Sequence, residues 1–285
     1  MYIYVNHEVV DEQEARISPM DHGFLYGMGL FETFRTYNGH PFLLDDHFTR
    51  LAEGADELGI ALPDYDREAV VAVIRSLLEA NGMEDAYFRW NISAGKAGVG
   101  LMVAPYTAPE TMVFVKQLQE PPKEKEARLL QTVRNTPEGA VRRKSHHYLN
   151  NILGKRELAN QPDVEGVFLT QEGFLSEGVV SNLFWVKEDT LFTPSLVTGC
   201  LPGITRAWVI KAAEAEGFRV IEGEFTPDHL LEAETVFVCN AIQELVRVSA
   251  WEGKSIASDN QHLFDSLKER YHQNKWHAFA ISACC

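Results

Sequence analysis

The sequence is poor in the features that mark secreted, membrane-spanning or metal-clustered proteins. It has four cysteines in 285 residues, Cys200, Cys239, Cys284 and Cys285, with no Cys-x-x-Cys spacing. That excludes a disulfide framework and a zinc site, and points to reduced thiols in a cytoplasmic setting. The opening MYIYVNHEVVDEQ lacks a basic stretch followed by an apolar core, so no signal peptide is expected. No run approaches the roughly 18 apolar residues of a membrane-spanning helix. Positive charge is scarce too: Lys and Arg number 26 against 41 Asp and Glu, a formal charge of −15. Such a surface repels nucleic acid and anionic lipid over long range, so neither is an expected partner. A small anionic ligand stays compatible, because a local pocket of Arg and Lys overrides the distant field. His146 and His147 are adjacent and point apart on an extended chain. No carboxylate or cysteine stands at ligand spacing from them, so no metal is expected.

What remains is an ordinary globular composition, 45% hydrophobic and 24% charged. The length suits two domains. Residues 2–5 read as a strand. Residues 31–37 and 41–44 read as a hairpin around Asn38-Gly39. Asp45 or Asp46 is placed to cap a helix carrying Leu51, Ala55 and Leu58, which Gly59 ends. A second amphipathic helix spans about residues 66–80, stopped by Asn81-Gly82. Strands are expected at 86–93 and 111–117. At 119–128 the composition shifts to two prolines and six charged residues, the best linker candidate. Beyond it come a strand at 129–133, a helix at 148–159, a β-rich stretch at 166–193 and a helix at 203–217. Short strands at 218–221, 235–239 and 245–248 precede a last helix at 260–273. The division is an N-terminal αβ domain over 1–118, a linker over 119–127 and a C-terminal domain over 128–285.

Four places carry candidate chemistry. Lys144 precedes an apolar helix in RRKSHHYLNN. Such a lysine is either a solvated end or an amine kept reactive toward carbonyls by cationic neighbours such as Arg142 and Arg143. Glu177 in LSEGVVSNLFWV is either a turn residue or the anionic partner of a protonated ring nitrogen. Ser181 and Asn182 share its segment. In LPGITR, Ile204 and Thr205 open a helix whose N-terminal amides suit a phosphate. Arg50, on the first amphipathic helix, either faces solvent or grips a phosphate bidentately. The glycine-rich GKAGVG at 95–100 lacks phosphate-loop spacing and reads as a mobile substrate loop.

Arg50, Lys144, Glu177 and GITR, in that order, resemble the fold-type IV enzymes that use pyridoxal 5'-phosphate. These include branched-chain aminotransferases, D-amino acid aminotransferases and aminodeoxychorismate lyases. The resemblance covers nearly the whole chain. It implies a mixed α/β fold of two domains: a smaller N-terminal two-layer αβ sandwich and a larger C-terminal αβ pseudo-barrel that binds the cofactor. It implies that Lys144 is the Schiff-base lysine and Tyr148 a partner of the cofactor's phenolic oxygen. Glu177 would face the pyridine nitrogen, and Arg50, Ile204 and Thr205 would hold the phosphate. Ser181 and Asn182 fall in the cofactor-binding segment. At Cys239-Asn240-Ala241 many relatives carry Ser or Thr for a further phosphate bond; here Asn240 or the Ala241 amide would serve. Tyr26, Arg35 and Arg89 stand at substrate-side positions. The stretches DHGFLYGMGLFETFR, RWNISAG, NTPEG, KSHHYLNN and TPSL are most similar to Bacillus-type lyases acting on 4-amino-4-deoxychorismate. That implies release of 4-aminobenzoate and pyruvate in folate biosynthesis, from a small anionic amine-bearing substrate, by a homodimer. An aminotransferase of the same fold needs the same lysine and the same electron sink, so both activities stay open.

Overall fold

The computed structural model describes residues 1–159, 161–256 and 261–285. They form two compact units. The first comprises Met1–Gln119, Lys144–His147 and Lys275–Ala283; the second comprises Glu120–Arg143, Tyr148–Asn274 and Cys284–Cys285.

The first unit is a six-stranded antiparallel sheet of β1 (Tyr2–Val5), β2 (Glu8–Asp11), β3 (Gly29–Tyr37), β4 (His40–Pro41), β5 (Tyr87–Ser93) and β6 (Glu110–Lys116), ordered β2-β1-β6-β5-β3-β4. Three helices join it: α1 (His22–Tyr26), α2 (Leu44–Glu57) and α3 (Arg67–Asn81). Alternation along β3 and β5 sends Leu30, Phe34, Phe88, Trp90 and Ile92 into one core with Leu51, Ile74 and Leu77 of the helices. Phe31, Arg35 and Arg89 therefore lie on the other face. Asn38 and Gly39 both take left-handed backbone, φ 51° and 74°, which is what a two-residue hairpin turn needs. Asp66 caps α3 by accepting from the Ala69 amide at 2.7 Å. At α2 the expectation differs. The N-cap is Leu43 at φ 57°, and Asp45 and Asp46 sit inside the first turn. There they meet the positive end of the helix dipole, and each also has an outside partner: Arg67 for Asp45 and the Ile281 amide for Asp46.

Lys144–His147 joins this unit by pairing with β3. The Phe31 amide donates to the Lys144 carbonyl at 2.9 Å, and the His146 amide donates to the Gly29 carbonyl at 3.0 Å. A Cβ at Gly29 would overlap the His146 ring, so the short added strand depends on glycine there.

The second unit is a mixed sheet of nine strands: β7 (Glu124–Leu129), β8 (Val164–Leu169), β9 (Leu175–Gly178), β10 (Asn182–Lys187), β11 (Thr190–Pro194), β12 (Arg219–Gly223), β13 (Thr235–Asn240), β14 (Glu244–Trp251) and β15 (Lys254–Ser255). Its order is β12-β11-β10-β13-β14-β7-β8-β9, with β15 beside β14. The terminal strand β9 returns beside β10 and β11, so the sheet curls into a pseudo-barrel. Its helices are α4 (Leu149–Glu157), α5 (Ile204–Ala215), α6 (Asp228–Leu231) and α7 (His262–Asn274). Leu183, Trp185, Val236, Val238, Val246 and Val248 build its main core.

Three expectations are corrected here. Residues 124–127, read as linker, belong to β7, an inner strand between β14 and β8. Charged residues on its outward face hide it, while Lys125 and Ala127 point inward and are buried. The strand expected at 129–133 accordingly ends at Leu129. The C-terminal span 128–285 gives two short segments to the first unit. The start of the last helix at Asn260 lies outside the described residues. No helix among them is long and apolar enough to cross a membrane.

Candidate active site

The upper face of the first unit gathers cations around one ring. Lys144 and Phe31 are opposed across the added strand, and Lys144 Nζ stands 4.7 Å from the Phe31 centroid. Arg89 Cζ lies 3.6 Å from the same centroid. Both approaches are cation–π contacts, which steer a cation without neutralising it. Arg89 also donates through Nε and Nη2 to Asn91 Oδ1, each at 3.3 Å. Arg35 shares the face, its Cζ 4.6 Å above the Tyr37 ring. His146 sits two residues beyond Lys144. Burial, aided by the charge of Arg89, holds its ring down to about 4, so it is neutral at physiological pH. The arrangement presents an amine beside guanidinium groups, which suits a substrate with carboxylates.

Arg50 lies on the opposite, core-facing side. Its Nε and Nη2 donate to Glu32 Oε1 and Oε2 at 2.8 and 2.6 Å, and His47 Nδ1 stands 2.7 Å from Oε2. Glu32 is fully buried. Burial pushes its carboxyl up, but Arg50 and His47 outweigh that and hold it at about 2. Burial pushes the His47 ring down, so it donates as neutral imidazole. Glu32 thus engages the Nε–Nη2 edge of the Arg50 guanidinium.

Tyr26 ends α1. Asp21 opens that helix, its Oδ1 accepting from the Phe24 amide at 3.1 Å, and Gly27 closes it at φ 70°. The Tyr26 hydroxyl accepts from the Gly100 amide at 2.8 Å. The glycine-rich loop is thereby tied to the end of α1.

The second unit holds the carboxylate. Glu177, in β9, is 4% exposed. Its Oε2 accepts the Leu201 amide at 2.9 Å. Its Oε1 faces Arg134 Nη2 at 2.7 Å, without the alignment of a hydrogen bond. Arg134 is fixed in turn by Asn150 and Asn151 of α4, at 2.6 and 3.2 Å. Ser181, expected at the cofactor, donates its hydroxyl to Glu165 at 2.9 Å. Glu165 is paired at 2.7 Å with the buried Lys125. Asn182 donates to the Leu201 carbonyl at 2.9 Å, and a Cβ at Gly203 would overlap its Oδ1. Gly203 is the N-cap of α5 and supplies no side-chain cap. The first-turn amides, including those of Ile204 and the buried Thr205, therefore depend on another acceptor. Asn240 turns inward: its Oδ1 accepts from the Ile242 and Gln243 amides at 2.9 and 2.7 Å, shaping the hairpin turn that contains Ala241. Tyr148, half-buried, opens α4 without capping it.

Sequence reasoning missed Glu32, His47, Arg134, Glu165 and Lys125. Glu32 had a signal: in LFETF the period of two puts it on the same face as Leu30 and Phe34. For Arg134 no local pattern pointed inward. Among the described residues no group of His, Cys, Asp and Glu could hold a metal.

The first unit thus carries an amine on its added strand, and the second a buried carboxylate beside an uncapped helix start. The model of the family described as amino-transferase class IV matches residues 29–251, and the chain belongs to that family. It is 41% identical over 273 residues to an aminodeoxychorismate lyase of Bacillus subtilis (strain 168), covering 94% of this chain and 93% of the relative. It is 27% identical over 259 residues to a D-alanine aminotransferase of Bacillus licheniformis, covering 90% and 91%. The crystal structure of a branched-chain aminotransferase from the thermophilic archaeon Thermoproteus uzoniensis, with norvaline, superposes with a TM-score of 0.85 at 26% identity, covering 97% of each chain.

Proposed function

We propose that the protein is a pyridoxal 5'-phosphate-dependent lyase that converts 4-amino-4-deoxychorismate to 4-aminobenzoate and pyruvate. The observation that carries the reading is 41% identity to such a lyase along 94% of the chain, against 35% to a putative branched-chain-amino-acid aminotransferase of Methanocaldococcus jannaschii and 27% to a D-alanine aminotransferase. The residues present fit the cofactor. Glu177 is a buried carboxylate with one oxygen lacking an aligned donor, and α5 begins without a side-chain cap. When bound, the cofactor supplies an electrophilic aldehyde and an electron-accepting ring.

The chain's own residues then divide the work. Lys144 would hold the cofactor through Nζ and, once its amine is free, would take the proton from the carbon bearing the substrate amine. Cleavage of the enolpyruvyl C–O bond leaves an aromatic ring. The proton that Lys144 took then goes to the departing enol carbon, giving pyruvate. Substrate and products balance with no second reactant, so one base suffices. Glu177, steadied by Arg134 and the Leu201 amide, keeps a proton on the ring nitrogen. Arg50, the amides of Ile204 and Thr205, the Thr205 hydroxyl and the Ala241 amide hold the phosphate. Tyr148 donates to the phenolic oxygen, and Ser181 and Asn182 brace this segment. Tyr26, Arg35 and Arg89 receive the substrate's carboxylates. We also infer a cytoplasmic homodimer. Free thiols at Cys200, Cys239 and Cys285 support the first part. The exposed apolar side chains of Ile17, Met20, Phe24 and Leu25 support the second.

The deciding assay gives the purified protein aminodeoxychorismate alone, and separately L- and D-amino acids with 2-oxoglutarate. The lyase reading expects 4-aminobenzoate and pyruvate without any added keto acid. Rapid amino transfer with no lyase activity would reverse the assignment. Lys144→Ala is expected to abolish the visible absorbance of the holoenzyme, its sensitivity to borohydride and all turnover.

A further inference from the structure

Residues 98–105 contain no strand or helix. Among the described residues, two hydrogen bonds tie this stretch to the rest of the chain, and both end on rings of α1. The Gly98 carbonyl stands 2.8 Å from His22 Nε2. The Gly100 amide donates to the Tyr26 hydroxyl at 2.8 Å. His22 is fully buried, and its Nδ1 lies 2.9 Å from the Tyr106 hydroxyl. A carbonyl only accepts, so Nε2 carries the hydrogen toward Gly98, and Nδ1 takes the hydroxyl hydrogen of Tyr106. Tyr106 is itself pinned through its backbone to Gly59 and Ala61, at 2.8 and 2.9 Å. The His22 ring meets Tyr26 and Tyr106 edge-on, with centroids 4.8 and 5.5 Å apart. Gly98, Gly100 and the exposed Val99, Leu101 and Val103 give the loop little order of its own. A cavity of about 320 Å³ between the loop and α1 leaves it room to shift.

We propose that His22 and Tyr26 are positioning residues that latch this loop, and that Tyr26 couples its order to occupation of the substrate's carboxylate site. The latch stands on geometry alone; the coupling rests on the proposed substrate role of Tyr26. The Tyr26 hydroxyl accepts from Gly100 and keeps its own hydrogen to donate. A carboxylate that takes that hydrogen polarises the hydroxyl and strengthens its bond to the Gly100 amide. His22 holds the other end of the turn, so the loop tightens as a unit.

The test is amide hydrogen exchange on the cofactor-free protein, followed by kinetics on the holoenzyme. His22→Leu and Tyr26→Phe should each speed exchange across residues 98–103 about 3- to 10-fold, the loss of one net hydrogen bond, with the sheet amides unchanged. His22→Gln should restore protection, since its amide can donate to Gly98 and accept from Tyr106. Tyr106→Phe, which removes only a hydroxyl, serves if His22→Leu fails to fold. Equal exchange in wild type and variants overturns the latch. In the holoenzyme, terephthalate, a ring dicarboxylate without an amine, should slow exchange at Gly100 in wild type and not in Tyr26→Phe. His22→Leu should raise KM for aminodeoxychorismate with kcat within about twofold. No slowing by terephthalate, or an unchanged KM with faster exchange, overturns the coupling. If the lyase assay itself fails, the exchange arms still decide the latch.

Discussion

Each unit buries a carboxylate against an arginine, and the two pairs differ in one respect. Glu32 is saturated: Arg50 meets both oxygens and His47 adds a third contact, all at 2.6–2.8 Å. Glu177 accepts the Leu201 amide on one oxygen, while the other faces Arg134 without an aligned hydrogen bond. A saturated buried carboxylate holds its neighbours in place. An undersaturated one that faces a guanidinium retains acceptor capacity for a further donor. The contrast is one of bonding: the chain's own donors fill one carboxylate and leave an oxygen of the other without an aligned donor.

The sharpest way to break this contrast is Glu177→Gln. An amide fits the same space but cannot keep a proton on a ring nitrogen. Turnover should fall on the order of 10²-fold or more, while the protein still binds cofactor, as read by visible absorbance. A variant that binds and turns over like wild type would make Glu177 another structural carboxylate.

Glu32→Gln should do the reverse. Removing the charge leaves Arg50 buried without its counter-ion, at a cost of about 3 kcal/mol in stability. Turnover per loaded molecule should change by less than about tenfold, since the carboxylate's role is to hold its neighbours. The pH dependence has a fixed sign. Glu32 is held at about 2, below its ordinary 4.5. Its contribution is therefore present above pH 4.5 and disappears as pH falls from 4.5 through 2. His47, held below its ordinary 6.5, also favours the folded state above that value and loses this as pH falls. Urea unfolding of wild type and variant should converge as the solution is acidified below 4.5. A constant gap down to pH 3 would contradict the saturated-pair account.

Arg50→Ala should produce a smaller effect, a loss of about 1.5–3 kcal/mol in cofactor affinity, the range of a charge-assisted hydrogen bond. Equilibrium dialysis of the folded variant reads it. Unaltered affinity would leave Arg50 solely as the partner of Glu32.

The sequence carried more of the first unit than of the second. Asn38-Gly39 has one favoured hairpin conformation, and Asp66 and Gly82 bracket α3, because these are local backbone preferences. β7 was hidden because its inward Lys125 is tolerated only through Glu165, forty residues away, and no local pattern announces a buried ion pair. Lys144 and Glu177 stood out through motif order. Their partners did not: Phe31 meets Lys144 only after strand pairing, and Arg134 reaches Glu177 only after α4 supplies two asparagines. The side-chain oxygen of Asn240 shapes its own turn, a short-range role that residue type alone leaves open.

The smallest expected effect reads the charge on Glu177 directly. Cys200 is buried, and that burial, with the negative charge of Glu177 next in importance, pushes its thiol up to about 11; Arg206 opposes both. Replacing Glu177 with Gln removes the second influence and leaves the first. The Cys200 thiol should then ionise at lower pH than in wild type, yet stay above its ordinary 9. Cys239 is the internal control. Burial pushes it up to about 12, with Arg206 opposing and no contribution from Glu177, so the substitution should leave it in place. The ¹³Cβ shifts of the two cysteines, followed with pH in both proteins, separate these outcomes. A downward move at Cys200 alone means that the charge of Glu177 acts on the thiol across the buried site. No move at Cys200 means that burial alone raises the thiol and that the Glu177 charge is offset by its neighbours.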